Sequence, residues 1–125
     1  MIKLKNSEIS AFGNPIINKL FEDPQRRFPV ADAFVLADLM GQIQEKLRLY
    51  QTSVKSCIEA NNGKINGDGR VVYESLENQQ KSMQELDELN KVEVEIIGDK
   101  LSQKDSWPEL AITEAYVLRP LIKEK

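Results

Sequence analysis

Carboxylates are the most abundant ionisable side chains of this sequence, which has 20 Asp and Glu residues, one cysteine and no histidine. Without histidine, a Ser–His–Asp triad, a Cys–His pair and a histidine-containing metal site are all excluded. The cysteine, Cys57, falls on an apolar helix stripe, so we expect a small buried hydrophobic residue there rather than a reactive thiol. The chemistry that remains open to the sequence is that of its acids.

The acids crowd two segments, a strand that carries Glu93 and Glu95 and the helix that precedes it. A carboxyl group that works as a general acid or base needs a desolvated cleft. The strand acids alternate with apolar residues, and the helix acids interleave with Lys81 and Lys91, so we expect both faces to be solvated. We therefore predict that the protein is not an enzyme and uses no cofactor or metal ion.

An acidic helix face has a second use, because it can imitate nucleic-acid phosphates and occupy a basic groove on another protein. This face carries Glu74 and four candidate partner-binding residues, which are Glu77, Glu85, Asp87 and Glu88. The opposing interpretation is an ordinary solvated face.

Residues 61–70 are rich in Asn, Asp and Gly, residue types that form turns and also occur in calcium loops. A calcium loop that starts at Asn62 or at Asn66 has a lysine or an arginine at a position that requires an oxygen ligand. We expect a tight turn instead, with Ile65 and Val71 paired across a small β-hairpin.

The turn lies between two predicted helices, of which the first, over 29–61, has the longest regular pattern in the sequence. Its apolar residues recur in alternating steps of three and four, the spacing of one narrow stripe. They are Ala33, Leu36, Met40, Ile43, Leu47, Tyr50, Val54 and Cys57. Such a helix is roughly 45 Å long. Gly41 lies within it, where glycine indicates either a local bend or a point at which another backbone crosses closely, and we favour the crossing.

The second helix is predicted to end near residue 90. Its stripe consists of Val72, Leu76, Gln79, Met83, Leu86 and Asn90, widened by Leu89. Opposite charges four residues apart, such as Asp87 and Lys91, are typical of a solvated face on the other side. A short connection between two long helices predicts an antiparallel hairpin over 29–90, with one stripe facing the other.

The two ends of the chain are predicted to form a base for this hairpin. Ile2–Lys5 and a strand at 91–97 both alternate apolar and charged residues, and each backbone needs a partner, so we expect them to pair. A helix capped by Asn6 or Ser7 follows the first strand and is interrupted at 13–15, where Gly-Asn-Pro occurs.

A last helix is predicted from a cap at Ser106 to Arg119, with Trp107 anchoring it against the sheet. The predicted fold class is therefore α+β and mainly α, a long antiparallel helical hairpin with a small two-stranded sheet and flanking helices. We expect a single domain over 1–125, in which 1–28 and 91–125 form the base and 29–90 form the helical hairpin.

Taken together, these segments resemble a family of small uncharacterised proteins of tailed bacteriophages and prophages, which open with a Met-Lys-Leu-x-Asn-x-Glu-Ile pattern. The matching parts are the Met-Ile-Lys-Leu-Lys-Asn-Ser-Glu-Ile opening, the charged hairpin with an Asn/Asp/Gly tip, the Val-Glu-Val-Glu-Ile strand and the Ser-Trp-Pro-Glu-Leu-Ala-Ile segment. The resemblance implies a phage gene product made in a bacterial cytoplasm. It carries no activity or catalytic residue to transfer.

The overall charge and apolar content narrow the choice of partner and compartment. A net charge of -3 lacks the basic field that non-specific nucleic-acid binding requires, so no nucleic-acid partner is expected. We expect the densest basic pair, Arg26 and Arg27, to be solvated. One cysteine, a short polar opening and the lack of an apolar run of ~20 residues predict a cytoplasmic protein of the bacterial host cell that is not bound to a membrane, and a virion association is left open.

The function that these features favour is a non-enzymatic protein–protein interaction module, a phage assembly or accessory factor with a phage or host protein as partner. Its basis is a helical hairpin longer than the domain is wide. The stripe can close within one chain or pair with a second copy, so a homo-oligomer stays open beside the intramolecular hairpin. The alternative is a small phage inhibitor that binds a host enzyme or defence complex through the acidic helix face.

Overall fold

One long helix extends through the fold, and the other elements are arranged around it. The computed structural model describes residues 1–124, and Lys125, the last residue of the predicted base, lies outside them. In chain order the elements are β1 (Ile2–Lys5), α1 (Asn6–Ala11), α2 (Pro15–Glu22), α3 (Val30–Ala60), β2 (Gly63–Ile65), β3 (Val71–Tyr73), α4 (Leu76–Lys91), β4 (Glu93–Ile96), α5 (Ile112–Leu118) and a closing 3-10 turn (Arg119–Leu121). The predicted α+β, mainly α fold with a helical hairpin is confirmed.

The two end strands pair as the sequence predicts. β1 and β4 are antiparallel, with Ile2 opposite Ile96. Ile2 and Leu4 are buried on one face, so the alternation of apolar and charged residues corresponds to an inner and an outer face. On α3, the side-chain amide of Gln42 donates to the carbonyl of Ile97 and accepts from its N–H, both at 2.8 Å, which ends the sheet against the long helix.

The predicted β-hairpin between the two long helices is also confirmed, with Ile65 opposite Val71. The backbone N–H of Asn66 donates to the carbonyl of Arg70 at 2.7 Å and closes the turn. At the base of this hairpin, Gly63 is packed so closely that a Cβ atom there would lie 2.6 Å from a methyl carbon of Ile58 and 2.9 Å from the Tyr73 ring. Only glycine fits this position.

The hydrophobic core forms around the N-terminal half of α3. The predicted stripe is correct here, because Leu36, Met40 and Ile43 are buried in one cluster with residues of α1, α2, the sheet and α5. Leu39, one residue before Met40, is fully buried as well and widens the stripe. In the C-terminal half the stripe residues are only half-buried, since α4 and the tip hairpin are the elements that accompany the helix there.

The predicted stripe of α4 is wrong in its first half and correct near its end. Leu76 and Met83 are 68% and 60% exposed, and Val72 belongs to β3 rather than to the helix. Leu86, Leu89 and Asn90 of the same stripe are half-buried. The fully buried residue of α4 is instead Ser82, which precedes Met83. The inner side of α4 is therefore mixed, with Ser82, Glu85 and Asn90 bonded to their neighbours, while Leu76 and Met83 face solvent.

Hydrogen bonds replace much of the expected apolar contact between α3 and α4. The hydroxyl of Tyr50 on α3 donates to the Asn90 side-chain oxygen on α4 at 2.6 Å. The hydroxyls of Tyr73 and Ser82 are 2.7 Å apart, so the tip hairpin is bonded to the same side of α4. A fully buried hydroxyl needs such a partner, and this requirement sets the orientation of α4.

The first helix does not use its predicted cap. The Glu8 carboxylate accepts from the backbone N–H of Lys5 at 3.0 Å, which places Lys5, not Asn6 or Ser7, at the cap position. The Asn6 side chain instead donates to the carbonyl of Leu89 at 2.9 Å and ties α1 to the last turn of α4. The predicted interruption at 13–15 is confirmed, since α1 ends before it and α2 begins within it.

The last helix starts five residues later than expected. It begins at Ile112, preceded by Ala111, whose N–H donates to the Glu114 carboxylate at 2.8 Å. Ser106, the predicted cap, lies in a turn in which the N–H of Trp107 donates to the carbonyl of Lys104. The predicted cap is wrong because the N–H group at the start of the helix, that of Ala111, is bonded to Glu114 inside the helix and not to Ser106 before it.

The expectation of a backbone crossing at Gly41 is wrong. A Cβ atom at this position would meet nothing within 4 Å, because Gly41 lies on the solvent side of α3. The close approach occurs at Gly98 after β4, where a Cβ atom would lie 3.0 Å from the Leu39 side chain and φ is +140°.

Truncation of Ile43 should destabilise the protein far more than truncation of Met83. Because Ile43 is fully buried, Ile43→Ala is expected to lower the free energy of unfolding by about 2–5 kcal/mol. Met83→Ala, at an exposed position of the other predicted stripe, should change it by less than about 0.5 kcal/mol. Urea unfolding of dilute protein, followed by Trp107 fluorescence, measures both. Equal losses would contradict the orientation of α4.

A methyl group at the base of the tip hairpin should also be costly. Gly63→Ala places a Cβ atom against Ile58 and Tyr73, so we expect a loss of about 1–3 kcal/mol in the free energy of unfolding. Gly67→Ala is the matched control, since a Cβ atom there meets nothing within 4 Å. Urea unfolding of both variants checks this, and a Gly63→Ala variant as stable as the control would contradict the packing.

Candidate functional site

An open groove of about 540 Å³ lies between α2, the loop at 23–29 and the N-terminal half of α3. Its floor contains Leu36 and Met40, which are also part of the core. Phe21 and Phe28 form one wall. The groove is therefore an apolar surface that continues the core of the protein outward.

Two large apolar side chains near the start of α3 are uncovered. Val30, which lines the groove, is 85% exposed. Phe34, one turn later and outside the lining of the groove, is 78% exposed. Ala33 and Ala37 line the same part of the groove, and both are exposed. Ala33 was predicted in the buried stripe, but the stripe is buried only from Leu36 onward, where α1, α2 and the sheet cover the helix.

The aromatic wall of the groove is held by Trp107. The rings of Phe28 and Trp107 are 5.1 Å apart at 75°, and Phe21 is 5.9 Å from Phe28. The indole N–H of Trp107 donates to the Asp32 carboxylate in the first turn of α3 at 2.8 Å. Trp107 thus anchors its loop to the start of α3, and the expectation that it holds a helix against the sheet is wrong.

Asp32 connects this wall to a second loop residue. It is 5% exposed and also accepts from the Lys104 ammonium group at 3.0 Å. The hydrogen bond from Trp107, followed by that from Lys104, lowers the pKa of Asp32 below its ordinary value. A carboxylate with two donors stays ionised and keeps the loop in place.

The loop at 23–29 is held by a second ionic cluster. One nitrogen of the Arg26 guanidinium donates to both oxygens of Glu114 on α5 at 2.8 and 2.9 Å, and another donates to Asp23 at 3.1 Å. Burial opposes ionisation of Glu114, yet the Ala111 N–H and Arg26 together hold its pKa below the ordinary value. The expectation that Arg26 is solvated is wrong, because its guanidinium group forms an ion pair with Glu114.

The predicted partner-binding acids do not share one face of α4. Glu77 and Glu88 are exposed, and Asp87 is paired with Lys91 at 3.0 Å. Glu85 is half-buried on the side of α3, where it accepts from the Asn61 side-chain amide at 3.2 Å.

Cys57 lies in this polar cluster rather than in an apolar one. Its sulfur is half-buried and lies 3.5 Å from the Glu85 carboxylate and 3.9 Å from the Ser82 hydroxyl. Burial is the main cause that raises the pKa of the thiol. A raised pKa keeps the thiol protonated, which is the opposite of what a nucleophile requires.

Sequence reasoning missed the residues that shape the groove. Asp32 is bonded to Trp107, 75 positions away, and Glu114 to Arg26, 88 positions away. No local sequence pattern indicates contacts over such distances along the chain. Val30 and Phe34 did carry a signal, since both are large apolar residues outside the predicted stripe of α3. Such residues have no place in the intramolecular core of an amphipathic helix.

No protein family, curated protein or solved structure matches this chain. Within residues 1–124, no helix is long and apolar enough to cross a membrane. Over the same residues, no three acidic, cysteine or histidine side chains are grouped so as to hold a metal ion.

The two ionic clusters should make the protein sensitive to acid. Asp32 and Glu114 have lower pKa values in the folded protein than in the unfolded chain, so their stabilisation is complete above the unfolded values and is lost as the pH falls through the folded ones. We expect the free energy of unfolding to decline as the pH is lowered from about 5 toward 3. Asp32→Asn should be less stable at neutral pH and should lose less over this range. Urea unfolding at several pH values, followed by circular dichroism, measures this, and parallel profiles for the two proteins would contradict it.

Proposed function

We propose that the protein is a non-enzymatic protein-binding module whose groove between α2 and α3 receives an amphipathic helix of a partner protein. The observation that carries this proposal is the exposure of Val30 and Phe34, at 85% and 78%, beside a groove with an apolar floor. Large apolar side chains that are contiguous and uncovered mark interaction surfaces. In this binding mode the partner helix presents apolar residues at positions i, i+3 or i+4, and i+7.

The surface of α3 in this region suits a second helix. Ala33 and Ala37, one turn apart, have small side chains and line the groove. Small residues one turn apart leave a shallow channel, in which the ridge of another helix can lie close to the backbone. Phe21 and Val30, which also line the groove, would then contact the apolar face of the partner.

The charges at the rim favour a partner helix with an acidic residue at the end near Arg27. Glu22 lines the groove and is in no ion pair over residues 1–124. Arg27, of opposite charge, also lines the groove and is in no ion pair over the same residues. It lies near the start of α3, where Pro29 provides no side-chain cap, so the first N–H groups of a 31-residue helix add to the positive potential. A carboxylate of the partner would be attracted to this end.

The groove is organised before any partner binds. Its aromatic wall is held through Phe28, Trp107 and Asp32, and its loop is held through Arg26 and Glu114. A surface that is already ordered loses little conformational freedom on binding, which favours affinity. These two clusters therefore serve the proposed function without contacting the partner.

The setting that we propose is a phage assembly or accessory factor, and it rests on the resemblance of the sequence segments alone. The alternative, an inhibitor that uses an acidic face, has less support because Glu85 is turned toward Asn61 and Lys91 neutralises Asp87. Glu77 and Glu88 remain exposed, with Lys81 between them on the helix.

A charge in the groove should remove partner binding and leave the fold intact. Val30→Asp changes a residue that lines the groove and is 85% exposed, so we expect an unchanged circular dichroism spectrum and at least about tenfold weaker retention of the partner. The matched control is Ile112→Asp, because Ile112 is 91% exposed on α5, away from the groove. Retention is measured with a photo-reactive residue at Ala33 in cells that make the protein naturally, followed by identification of the cross-linked segment.

The chemistry of the captured segment is the second part of this test. We expect a helical segment with an acidic residue, whose synthetic peptide binds the wild type and binds Arg27→Glu more weakly. Equal retention by Val30→Asp and the wild type, or a loss shared by Ile112→Asp, would overturn the proposed site.

A further inference from the structure

The tip hairpin contains two Asn-Gly pairs, Asn62–Gly63 at its base and Asn66–Gly67 in its turn. In such a pair the backbone nitrogen of the glycine can attack the side-chain amide carbon of the asparagine. Glycine permits this attack because it has no Cβ atom to restrict the backbone. Each pair is therefore a candidate site of covalent modification, and the structure holds the two pairs differently.

The pair at the base of the hairpin is held on both sides. Gly63 is buried against Ile58 and Tyr73, and it is paired with Tyr73 in the two-stranded sheet. The N–H of Asn62 donates to the carbonyl of Glu59 at 3.1 Å, and its φ is 59°. The attack requires a rotation of the peptide group between Asn62 and Gly63, which would move Gly63 out of its packed position. The fold therefore protects this pair.

The pair in the turn is open. Asn66 and Gly67 are both exposed, and a Cβ atom at Gly67 would meet nothing within 4 Å. Over residues 1–124, no hydrogen bond uses the N–H of Gly67 or the side chain of Asn66. One bond opposes the rotation, since the N–H of Gly69 donates to the carbonyl of Asn66 at 2.9 Å. Because the turn is exposed, water can replace this bond at little net cost.

We propose that Asn66 is a modification site, at which the folded protein is converted spontaneously to an aspartate or an isoaspartate form. The nitrogen of Gly67 loses its proton to a solvent base and forms a bond to the side-chain amide carbon of Asn66. The bond from that carbon to the amide nitrogen breaks, and the nitrogen takes up a proton and leaves as ammonia. Water then opens the cyclic imide. The reaction involves no oxidation or reduction.

The two products differ in which carbonyl of the imide the water attacks. Opening at the side-chain carbonyl gives aspartate and keeps the backbone as it was. Opening at the backbone carbonyl gives isoaspartate, in which the chain continues through the side chain and is longer by one methylene group. The turn depends on the bonds from Asn66 to Arg70 and from Gly69 to Asn66, so the longer backbone changes its geometry.

Both products also change the charge of the tip hairpin. Each adds one negative charge to a chain whose net charge is -3. The new carboxylate lies two positions from Asp68, which is already paired with Arg70 at 3.5 Å. The conversion therefore makes the exposed turn more acidic as the protein ages.

Incubation of the folded full chain at mildly alkaline pH tests the site, because loss of the attacking proton is favoured there. Trypsin cleaves after Lys and Arg, so Asn62 lies in the peptide 56–64 and Asn66 in the peptide 65–70. We expect the mass gain of NH₂ replaced by OH in 65–70, in two products that chromatography separates. The peptide 56–64 should gain it at least about tenfold more slowly, since its reaction requires local opening of the hairpin. A digest of unincubated protein corrects for conversion during digestion.

Two controls separate the chemistry from the fold. In urea that unfolds the chain, Gly63 is no longer packed, so both peptides should be converted at similar rates. Gly67→Ala retains the fold because its Cβ atom meets nothing within 4 Å. The methyl group restricts the backbone, so we expect conversion of 65–70 to slow at least about tenfold and that of 56–64 to stay unchanged.

Three results would overturn the proposal. Equal conversion of the two peptides in the folded protein would show that the packing of Gly63 does not select the site. Conversion of 65–70 in urea but not in the folded protein would show that the turn holds Asn66 closed. Conversion unaffected by Gly67→Ala would exclude the nitrogen of Gly67 as the attacking group. No residue of the tip hairpin lines the groove, so these outcomes are independent of the proposed function.

Discussion

Burial of the N-terminal half of α3 is the interaction on which the rest of the structure depends. Leu36, Leu39 and Ile43 are the residues through which the sheet, α1, α2 and α5 are joined into one core. Burial of each aliphatic side chain contributes about 1.5–3 kcal/mol to the stability of the fold relative to its exposure to water. In the C-terminal half of the same helix the stripe residues Leu47, Tyr50 and Val54 are only half-buried, so its contribution is correspondingly smaller.

Two buried carboxylates determine the shape of the surface beside this core. Asp32 accepts hydrogen bonds from Trp107 and Lys104, and Glu114 accepts one from Arg26. These contacts hold two irregular loops in place beside the groove. Irregular segments near a core leave backbone and side-chain groups that need partners. Here ion pairs and the Trp107 indole supply them, so the groove has defined walls although neither wall is built entirely from helix or strand.

What the sequence by itself determined is the set of elements and the periodicity of each. The strands at the two ends, the long helix from Val30 to Ala60 and the tip hairpin follow from alternation, from three-and-four spacing and from turn residues, all of which are local properties. The core side of α3 also followed, because its apolar stripe is longer than that of any competing face. For the groove, the sequence indicated only that Val30 and Phe34 do not belong to the buried stripe.

Only the tertiary structure decided which side of α4 faces inward and where the last helix begins. A helical period in the sequence shows that one side of a helix is more apolar than the other. Which side is buried depends on the residues of the element that packs against the helix. In this protein the neighbour presents Tyr50, Cys57 and Asn61, which select the polar side. The contacts of Asp32 with Trp107 and of Arg26 with Glu114 join residues 75 and 88 positions apart, and no local pattern contains them. The hydrogen-bond partner of a buried polar group depends on which side chains the fold packs beside it, and the spacing of residues in the sequence does not contain this information.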